Sequence, residues 1–345
     1  MSAHDKHEVA ALCAAGAGIR ITDAHDLMSC QPGPIDWVVD GLVPVGSTVD
    51  MFGPPGVGKT TLLTDLALAF ANEDGSWQGR ACWGGPVVIV GGERTSEQAL
   101  ARDLWRTGRK QPPRGGLIIP TQADGSSPPL WNWNRRADGG AGAWSLTDWG
   151  RRITDLLMST RPVMIIIDTI MSAASGCDLL DQPQQYKLGT TILGWSKTVG
   201  CALTATVSHT NQASASLGFA ERLDYTSRAG GNGLPAALRH IAGVTAVGGS
   251  ATDLALKKAC GLESMDTMFL FGFSKYNESP KPDWNKSSPA IFSQPYGKLE
   301  LVMRGEEVKE RLRSFEAMLG DEAERDAAMK ASKKRERGGR NGTGF

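Results

Sequence analysis

The chain has 345 residues, of which 41% are hydrophobic and 21% charged, so it is long enough to bury one large core or two small ones. Its basic and acidic side chains balance to a formal net charge of zero. This balance excludes a global positive field, and any nucleic-acid site must therefore be a local basic patch. The six cysteines are scattered without a C-x-x-C pair, which favours reduced thiols in a cytoplasmic protein. No apolar stretch reaches the length of a membrane span, so we expect no membrane partner.

The composition along the chain predicts three segments. Residues 1–35 show little periodicity, end at a Pro-Gly-Pro sequence and are interpreted as an accessory arm. Their acidic residues and missing basic start make a poor signal peptide. Residues 36–303 carry the strand and helix patterns of the main domain. Residues 304–345 predict a helix followed by a basic, glycine-rich tail that we expect to be disordered.

The sequence GPPGVGKTT matches the phosphate-loop pattern G-x-x-x-x-G-K-[ST] in full. A strand-like run, GSTVDMF, precedes it, and a helix-like run, TTLLTDLALAF, follows it. We expect the backbone N–H groups and the helix N-terminus to bind the phosphates of ATP. The lysine would reach the β and γ phosphates, and the first threonine would place its hydroxyl on Mg²⁺. The loop consists of Gly53, Pro54, Pro55, Gly56, Val57, Gly58, Lys59, Thr60 and Thr61.

Strand and helix patterns alternate after this loop. The strand-like runs PVVIVGGE, RPVMIIIDT and CALTATVSH are each preceded by a helix pattern, which predicts right-handed crossovers and a mainly parallel sheet. Further runs, RHIAGVTAV, LALKKACG and MFLFGFSKYN, are interpreted as the remaining strands, and AIFSQPYGKLELV as a hairpin at the sheet edge. The predicted fold class is therefore α/β: a RecA-like P-loop core whose mainly parallel sheet is flanked by helices, with antiparallel hairpins near the C-terminus.

Residues 109–145 interrupt the alternation with many prolines and glycines, which predicts a surface excursion with a small hairpin or no regular structure. It contains Trp131, Trp133 and Trp144 beside two arginines. Aromatic rings next to arginine can stack on nucleic-acid bases. Alternatively, the tryptophans pin a long loop onto the domain, and we favour this second interpretation.

Polar residues end the predicted strands, where ligands bind in doubly wound sheets. Asp168 is placed to hold the Mg²⁺ shell together with Thr60, and Glu93 to deprotonate the attacking water. His209 ends the next strand within reach of the γ-phosphate. Each has a structural alternative, since strand-end carboxylates often cap helices and a single histidine is often only hydrogen-bonded. Lys275 ends a late strand and is either a group that acts on a neighbouring subunit's nucleotide or a solvated lysine.

These motifs resemble the RecA-type ATPases of the RepA plasmid replicative helicase group, within the wider DnaB and KaiC-like set. The resemblance lies in WVVDGLVPVGSTVDMFGPPGVGKTTL, the GGE that ends in Glu93, IIIDT, and VSHTN with the following RAGGNG, and it covers about residues 36–303. It implies a RecA-like core, a homo-oligomeric ring that is hexameric, nucleotide sites at subunit boundaries, and single-stranded DNA in the central channel.

The resemblance also assigns roles to individual positions. Glu93 would be the catalytic base, Asp168 the Mg²⁺-site acid, His209 the sensor, and Lys275 a group that acts across the subunit interface. The long segment 210–233 would be the loop that faces the channel. Such helicases commonly carry a second basic residue two places after the lysine, whereas this chain has Asn277, which predicts weak activation across the interface.

Three functions are compatible with these features. The first is a DNA-dependent ATPase of the RepA-like helicase type, in which Arg222 and Arg228 contact single-stranded DNA, helped by the basic residues 333–335 of the tail. The second is a recombination mediator or annealing ATPase that does not unwind DNA. The third is a nucleotide-gated assembly module that recruits a protein partner, for example from replication or recombination.

Overall fold

A computed structural model describes the chain between residues 33 and 317. The described residues from Trp37 onward belong to one structural unit. Within residues 33–317 the description leaves out 73–74, 92–96, 136–141, 177, 179–180, 211–218, 230–231, 249–250, 264–266, 278, 295–297, 305–306, 312 and 315–316. Nearly all of the predicted arm and the basic tail therefore lie outside the described residues.

The strands follow the sequence patterns closely at the centre of the chain. They are β1 (Trp37–Val39), β2 (Val43–Pro44), β3 (Ser47–Gly53), β4 (Ser76–Trp77), β5 (Arg80–Ala81), β6 (Val87–Val90), β7 (Leu117–Ile118), β8 (Trp131–Asn134), β9 (Ala143–Leu146), β10 (Met164–Ile167), β11 (Ala174–Ser175), β12 (Leu203–His209), β13 (His240–Val247), β14 (Met268–Tyr276), β15 (Ala290–Ser293) and β16 (Glu300–Met303).

The α-helices connect these strands. They are α1 (Lys59–Ala71), α2 (Glu97–Arg106), α3 (Asp148–Thr160), α4 (Ile170–Ala173), α5 (Gln182–Val199), α6 (Phe219–Arg222), α7 (Gly233–Ala237) and α8 (Ala251–Ala259). Thr147 caps α3 and Asp181 caps α5, each by accepting a bond from a first-turn N–H group.

A nine-stranded sheet organises the molecule, in the order β16-β15-β14-β13-β3-β12-β10-β6-β7. The strands from β13 to β7 are mutually parallel, whereas β14, β15 and β16 add antiparallel neighbours at the other side. This arrangement confirms the predicted fold class: a mainly parallel sheet with antiparallel hairpins at its C-terminal side.

Alternating side chains of the sheet form two cores, one on each face. Val49 and Met51 of β3 pack with the apolar residues of α1, whereas Phe52 packs with those of α3 and α5. Because helices cover both faces, the central strands β3, β10 and β12 are buried in nearly every position. This explains the continuous MIII run of β10, whose four residues are all buried.

In the tryptophan-rich excursion, β7 joins the edge of the large sheet, whereas β8 and β9 pair as a hairpin and form a small separate sheet with β11, in the order β11-β8-β9. Trp131 is 1% exposed and meets Trp195 of α5 edge to face at 5.3 Å between ring centroids. Trp133 contacts Trp144 at 5.3 Å, and Trp144 Nε1 donates to the carbonyl of Gln184 at 3.0 Å. The rings are thus used for packing, in agreement with the favoured interpretation, and they do not offer their faces to nucleic-acid bases.

One predicted strand is wrong. The run LALKKACG lies in helix α8, where Leu256 is buried and Leu254 is exposed. An apolar residue at every second position over so short a run also fits one turn of helix, so the pattern did not separate the two states. The antiparallel partner of β13 is β14, which contains the predicted strand MFLFGFSKYN.

Candidate functional site

The phosphate loop connects the central strand β3 to helix α1. Gly58 directly precedes the helix with φ 103°, a left-handed conformation that favours glycine. A Cβ at this position would lie 3.1 Å from a ring carbon of Phe269 on β14. The turn is therefore held from one side by the sheet, and α1 begins with its N-terminus at the loop.

Lys59 is the first residue of α1 and is only 5% exposed. Its ammonium donates to the carbonyl oxygens of Gly53 and Pro54, both at 2.8 Å. These two bonds stay within the loop, so they hold the charged group inside the turn that a polyphosphate would enter. A buried cation in this position favours negative ligand charge directly beside it.

The carboxyl ends of the neighbouring strands meet at this loop. In the ladder between β12 and β3, His209 lies opposite Gly53, and β10 is the next strand beyond β12. Together they enclose a cavity of about 330 Å³. Its lining residues are Pro55, Gly56, Gly58, Lys59, Thr60, Thr61, Asp103, Arg106, Asp168, Thr169, Val207, His209 and Gln294.

Thr60 and Asp168 line the same cavity, and their side-chain oxygens are the candidate protein ligands of a magnesium ion there. Asp168 follows β10 and is 6% exposed, and Thr60 follows Lys59 in α1. A hydroxyl and a carboxylate are the hard ligands that Mg²⁺ prefers, with phosphate oxygens and waters completing the shell. In the described parts of the chain no group of three His, Cys, Asp or Glu side chains could hold a metal.

Gly91 places the end of β6 against Asp168. The Asp168 N–H donates to the carbonyl of Val90 at 2.9 Å, and a Cβ on Gly91 would clash with the carbonyl oxygen of Asp168. Gly91 itself has φ 133°, which a side chain rarely tolerates. Glu93, the predicted base two residues further on, lies outside the described residues, so its role stays a prediction.

His209 forms the wall between two cavities. It lines the nucleotide-sized cavity on one side and, on the other, an apolar cavity of about 220 Å³ that Ser208 and Arg228 also line. A histidine at this point contacts both the space for phosphates and the segment that follows β12.

Four polar cavity residues were not singled out from the sequence. Asp103 and Arg106 lie three residues apart on α2, with 3.6 Å between Arg106 Nη1 and Asp103 Oδ1. An acidic and a basic residue at this helical spacing are the sequence pattern that could have indicated the pair. Thr169 directly follows Asp168. Gln294 follows β15, which runs parallel to β3 because two antiparallel steps separate them. That direction is a property of the sheet, so the sequence held no signal for Gln294.

Lys275 does not line the nucleotide cavity of its own chain. It pairs with Ile241 of β13, which lies opposite Asp50 of β3, three residues before Gly53. Its ammonium donates to the carbonyl of Pro235 at 2.6 Å. Burial, and then the charge of Arg239, lower the pKa of Lys275. An action of Lys275 on a γ-phosphate would therefore need a neighbouring copy of the chain.

The two arginines proposed as DNA contacts have different surroundings. Arg222 is half-buried, lies over the ring of Phe219 at 4.6 Å and donates to the carbonyl of Ala246. Burial lowers its pKa, while the charge of Asp253 raises it. Arg228 is only 5% exposed and forms an ion pair with the buried Asp50. This placement does not support a direct DNA contact by Arg228, because its guanidinium is directed into the core.

A phosphate loop between a central strand and a helix, with a carboxylate and a histidine at adjacent strand ends, defines a RecA-like P-loop ATPase domain. The chain belongs to the AAA domain family AAA_25, whose model matches residues 16–215. Among solved structures it is similar to a KaiC-like protein of the hyperthermophilic archaeon Pyrococcus horikoshii OT3, with 15% identity and a TM-score of 0.46. That match covers 78% of this chain and 99% of the archaeal chain. No curated protein matches the sequence.

Among the described residues, no helix has the length and apolarity needed to cross a membrane.

Proposed function

We propose that the protein is a ring-forming ATPase that hydrolyses MgATP and acts on single-stranded DNA as a motor of the RepA-like helicase type. The observation that carries this proposal is the single cavity in which Lys59, Thr60 and Asp168 meet. The chemistry of phosphoryl transfer requires little more than positioning and charge stabilisation, and these residue types supply both.

Each residue has a defined task in this mechanism. The loop N–H groups and Lys59 bind the β and γ phosphates and stabilise the negative charge that develops on them. Thr60 and Asp168 would hold Mg²⁺, which neutralises and orients the phosphate oxygens when it is bound. Glu93 is the proposed base that takes a proton from the attacking water, and His209 contacts the γ-phosphate and relays its presence to the following segment.

Ring formation is supported by two surface features. Trp105 of α2 is 78% exposed, although Arg106 beside it lines the nucleotide cavity. An exposed tryptophan at the rim of a ligand cavity is typical of an interface. Lys275 does not line the nucleotide cavity of its own chain, so a head-to-tail contact would supply it to the next copy. The expected state is a hexamer.

The ATPase is tested with the purified full-length chain. We expect Mg²⁺-dependent release of phosphate from ATP, with stimulation by single-stranded DNA at low salt. Arg222→Ala should reduce the stimulation and leave the basal rate unchanged, whereas Arg151→Ala, an exposed arginine of α3, should change neither. Absence of ATP binding would refute the whole proposal. A hydrolysis rate that single-stranded DNA does not change at low salt would refute the proposed motor function.

A forked-duplex assay separates the helicase from an annealing or recombination ATPase, since only the helicase releases the displaced strand. A nucleotide-gated assembly module is the second candidate, favoured by the exposed Trp105. In that case a non-hydrolysable ATP analogue would itself drive assembly without DNA. Trp105→Ala would then prevent assembly, measured by native mass spectrometry, while the single chain still binds the analogue.

A further inference from the structure

Asp50 carries a carboxylate in the middle of the sheet. It is 0% exposed and lies on β3, three residues before the phosphate loop begins. Both oxygens are bonded: Thr206 Oγ1 donates to Oδ1 at 2.7 Å, and Ser208 Oγ donates to Oδ2 at 2.8 Å. A buried carboxylate is retained only where such bonds and an opposite charge compensate its lost hydration.

The opposite charge comes from Arg228, which follows β12 by almost twenty residues in the chain. Its Nε donates to Asp50 Oδ2 at 2.8 Å and to Ser208 Oγ at 2.9 Å. Nη1 donates to the carbonyl of Ala229 at 3.0 Å and reaches Gln185 of α5 at 3.4 Å. The guanidinium is therefore held in one orientation by the strands β3 and β12 and by a helix.

This ion pair joins the base of the segment after β12 to the nucleotide cavity. Thr210 and Arg228 form an isolated β-bridge, and the Ala229 N–H donates to the carbonyl of His209 at 2.7 Å. The chain thus leaves the sheet after His209 and returns to the same point at Arg228. His209 also lines the nucleotide cavity. A displacement of the end of β12 would therefore reach Arg228 by two routes: the hydrogen bond from the Ala229 N–H to the His209 carbonyl, and the ion pair with Asp50.

We infer that Asp50 and Arg228 are positioning residues that couple the occupancy of the phosphate loop to residues 219–229. This inference rests on the proposed ATPase function and assigns Arg228 a role different from a DNA contact. Bound nucleotide fixes the ends of β3 and β12, and the ion pair transmits that restraint to the returning segment. The coupling requires that the nucleotide binds more tightly to the arrangement in which the ion pair holds this segment in place.

The test uses the full chain with both charges removed, Asp50→Asn with Arg228→Gln. Both residues are replaced together because removal of one partner would leave a buried, unpaired charge. Hydrogen exchange is followed in peptides that cover residues 219–229, with and without a non-hydrolysable ATP analogue and Mg²⁺. In the wild type we expect the analogue to slow this exchange. In the double variant we expect the slowing to be lost, although the dissociation constant for the analogue changes by no more than about threefold.

Kinetics provide a second readout. If the pair acts by positioning, the double variant should lose about tenfold in kcat while KM for ATP stays within about threefold, because the phosphate contacts themselves are unchanged. Arg228→Lys keeps the charge near Asp50 and should recover part of the exchange response. This single variant also keeps the test decisive where the double variant folds poorly.

A matched control is the ion pair between Asp65 and Arg109. It is also largely buried, with 2.6 Å between Nε and Oδ1, and neither residue lines the nucleotide cavity. Asp65→Asn with Arg109→Gln should lower the melting temperature to a similar extent, yet preserve the slowed exchange and kcat. The inference is overturned if the Asp50 and Arg228 double variant keeps the exchange response, or if the control loses it equally. Failure of the wild type to bind the analogue would instead refute the proposed function, and the inference with it.

Discussion

At the scale of single residues, two neighbours in the cavity have different tasks: Lys59 supplies positive charge for the phosphates, and Thr60 supplies a hydroxyl for the metal ion. Lys59 is held by two carbonyls of its own loop, so its position is fixed before any nucleotide arrives. Thr60, the next residue, offers only a hydroxyl. We therefore expect Lys59 to govern phosphate affinity and Thr60 to govern the requirement for magnesium.

Thr60→Ala removes the one hydroxyl proposed to contact the metal. We expect the Mg²⁺ concentration that gives half-maximal ATPase activity to rise about tenfold, which corresponds to ~1.4 kcal/mol. Thr64→Ala removes a buried hydroxyl from the same helix but outside the cavity, and should leave the magnesium requirement unchanged. A titration in which both variants behave alike would contradict the assignment of Thr60.

Asp224 provides a prediction of pH dependence. Burial raises its pKa, but hydrogen bonds from Lys286 and Thr226 outweigh burial and lower the pKa below its ordinary value. A carboxyl whose pKa is lowered by folding stabilises the native state above its unfolded pKa and loses that contribution as the pH falls through the folded pKa. Asp224→Asn should therefore reduce the free energy of unfolding at neutral pH. The difference from wild type should vanish in strongly acidic solution, as measured by urea titrations across the pH range.

At the scale of elements, the ends of β6 and β10 lie so close together that position 91 has no room for a side chain. Gly91→Ala would direct a methyl group into the carbonyl of Asp168, in a backbone conformation that alanine rarely adopts. We expect a loss of roughly 2–4 kcal/mol in stability, together with weaker nucleotide binding. Gly194→Ala is the matched control, since the same methyl group on α5 meets nothing within 4 Å and should stabilise the helix by up to ~1 kcal/mol. Calorimetry of both variants measures the change in melting temperature, which should fall for Gly91→Ala and should not fall for Gly194→Ala.

Elements of the central sheet were predictable because their signals were local. The phosphate loop is a fixed pattern, and the apolar run before Asp168 is short and rich in isoleucine, which favours a buried strand. Helix α8 was misassigned because a short alternating run fits either state. The remaining gap concerns side-chain partners at long range. The pairing of Arg228 with Asp50 spans 178 residues, and no local pattern indicates it.

At the scale of the whole molecule, the proposed ring can be tested by mixing two variants that we expect to be inactive. Lys59→Ala lacks the loop charge, and Lys275→Met lacks the residue proposed to act on the neighbouring copy. A mixed ring contains interfaces where an intact loop meets an intact Lys275, so an equal mixture should regain about a quarter of the wild-type ATPase activity. Each variant measured alone serves as the control, and a mixture no more active than its components would argue against shared sites.

The central position of β3 also determines when the site can form during synthesis. Its two sheet neighbours, β12 and β13, come more than 150 residues later, as the contact between Asp50 and Thr206 shows with a separation of 156. A nascent chain has therefore made its phosphate loop long before the ribosome reaches the strands that flank it. Until residue 203 has emerged, both edges of β3 remain open, and the edge that pairs with β13 remains open until residue 240 has emerged. Open edges can bind chaperones or other chains.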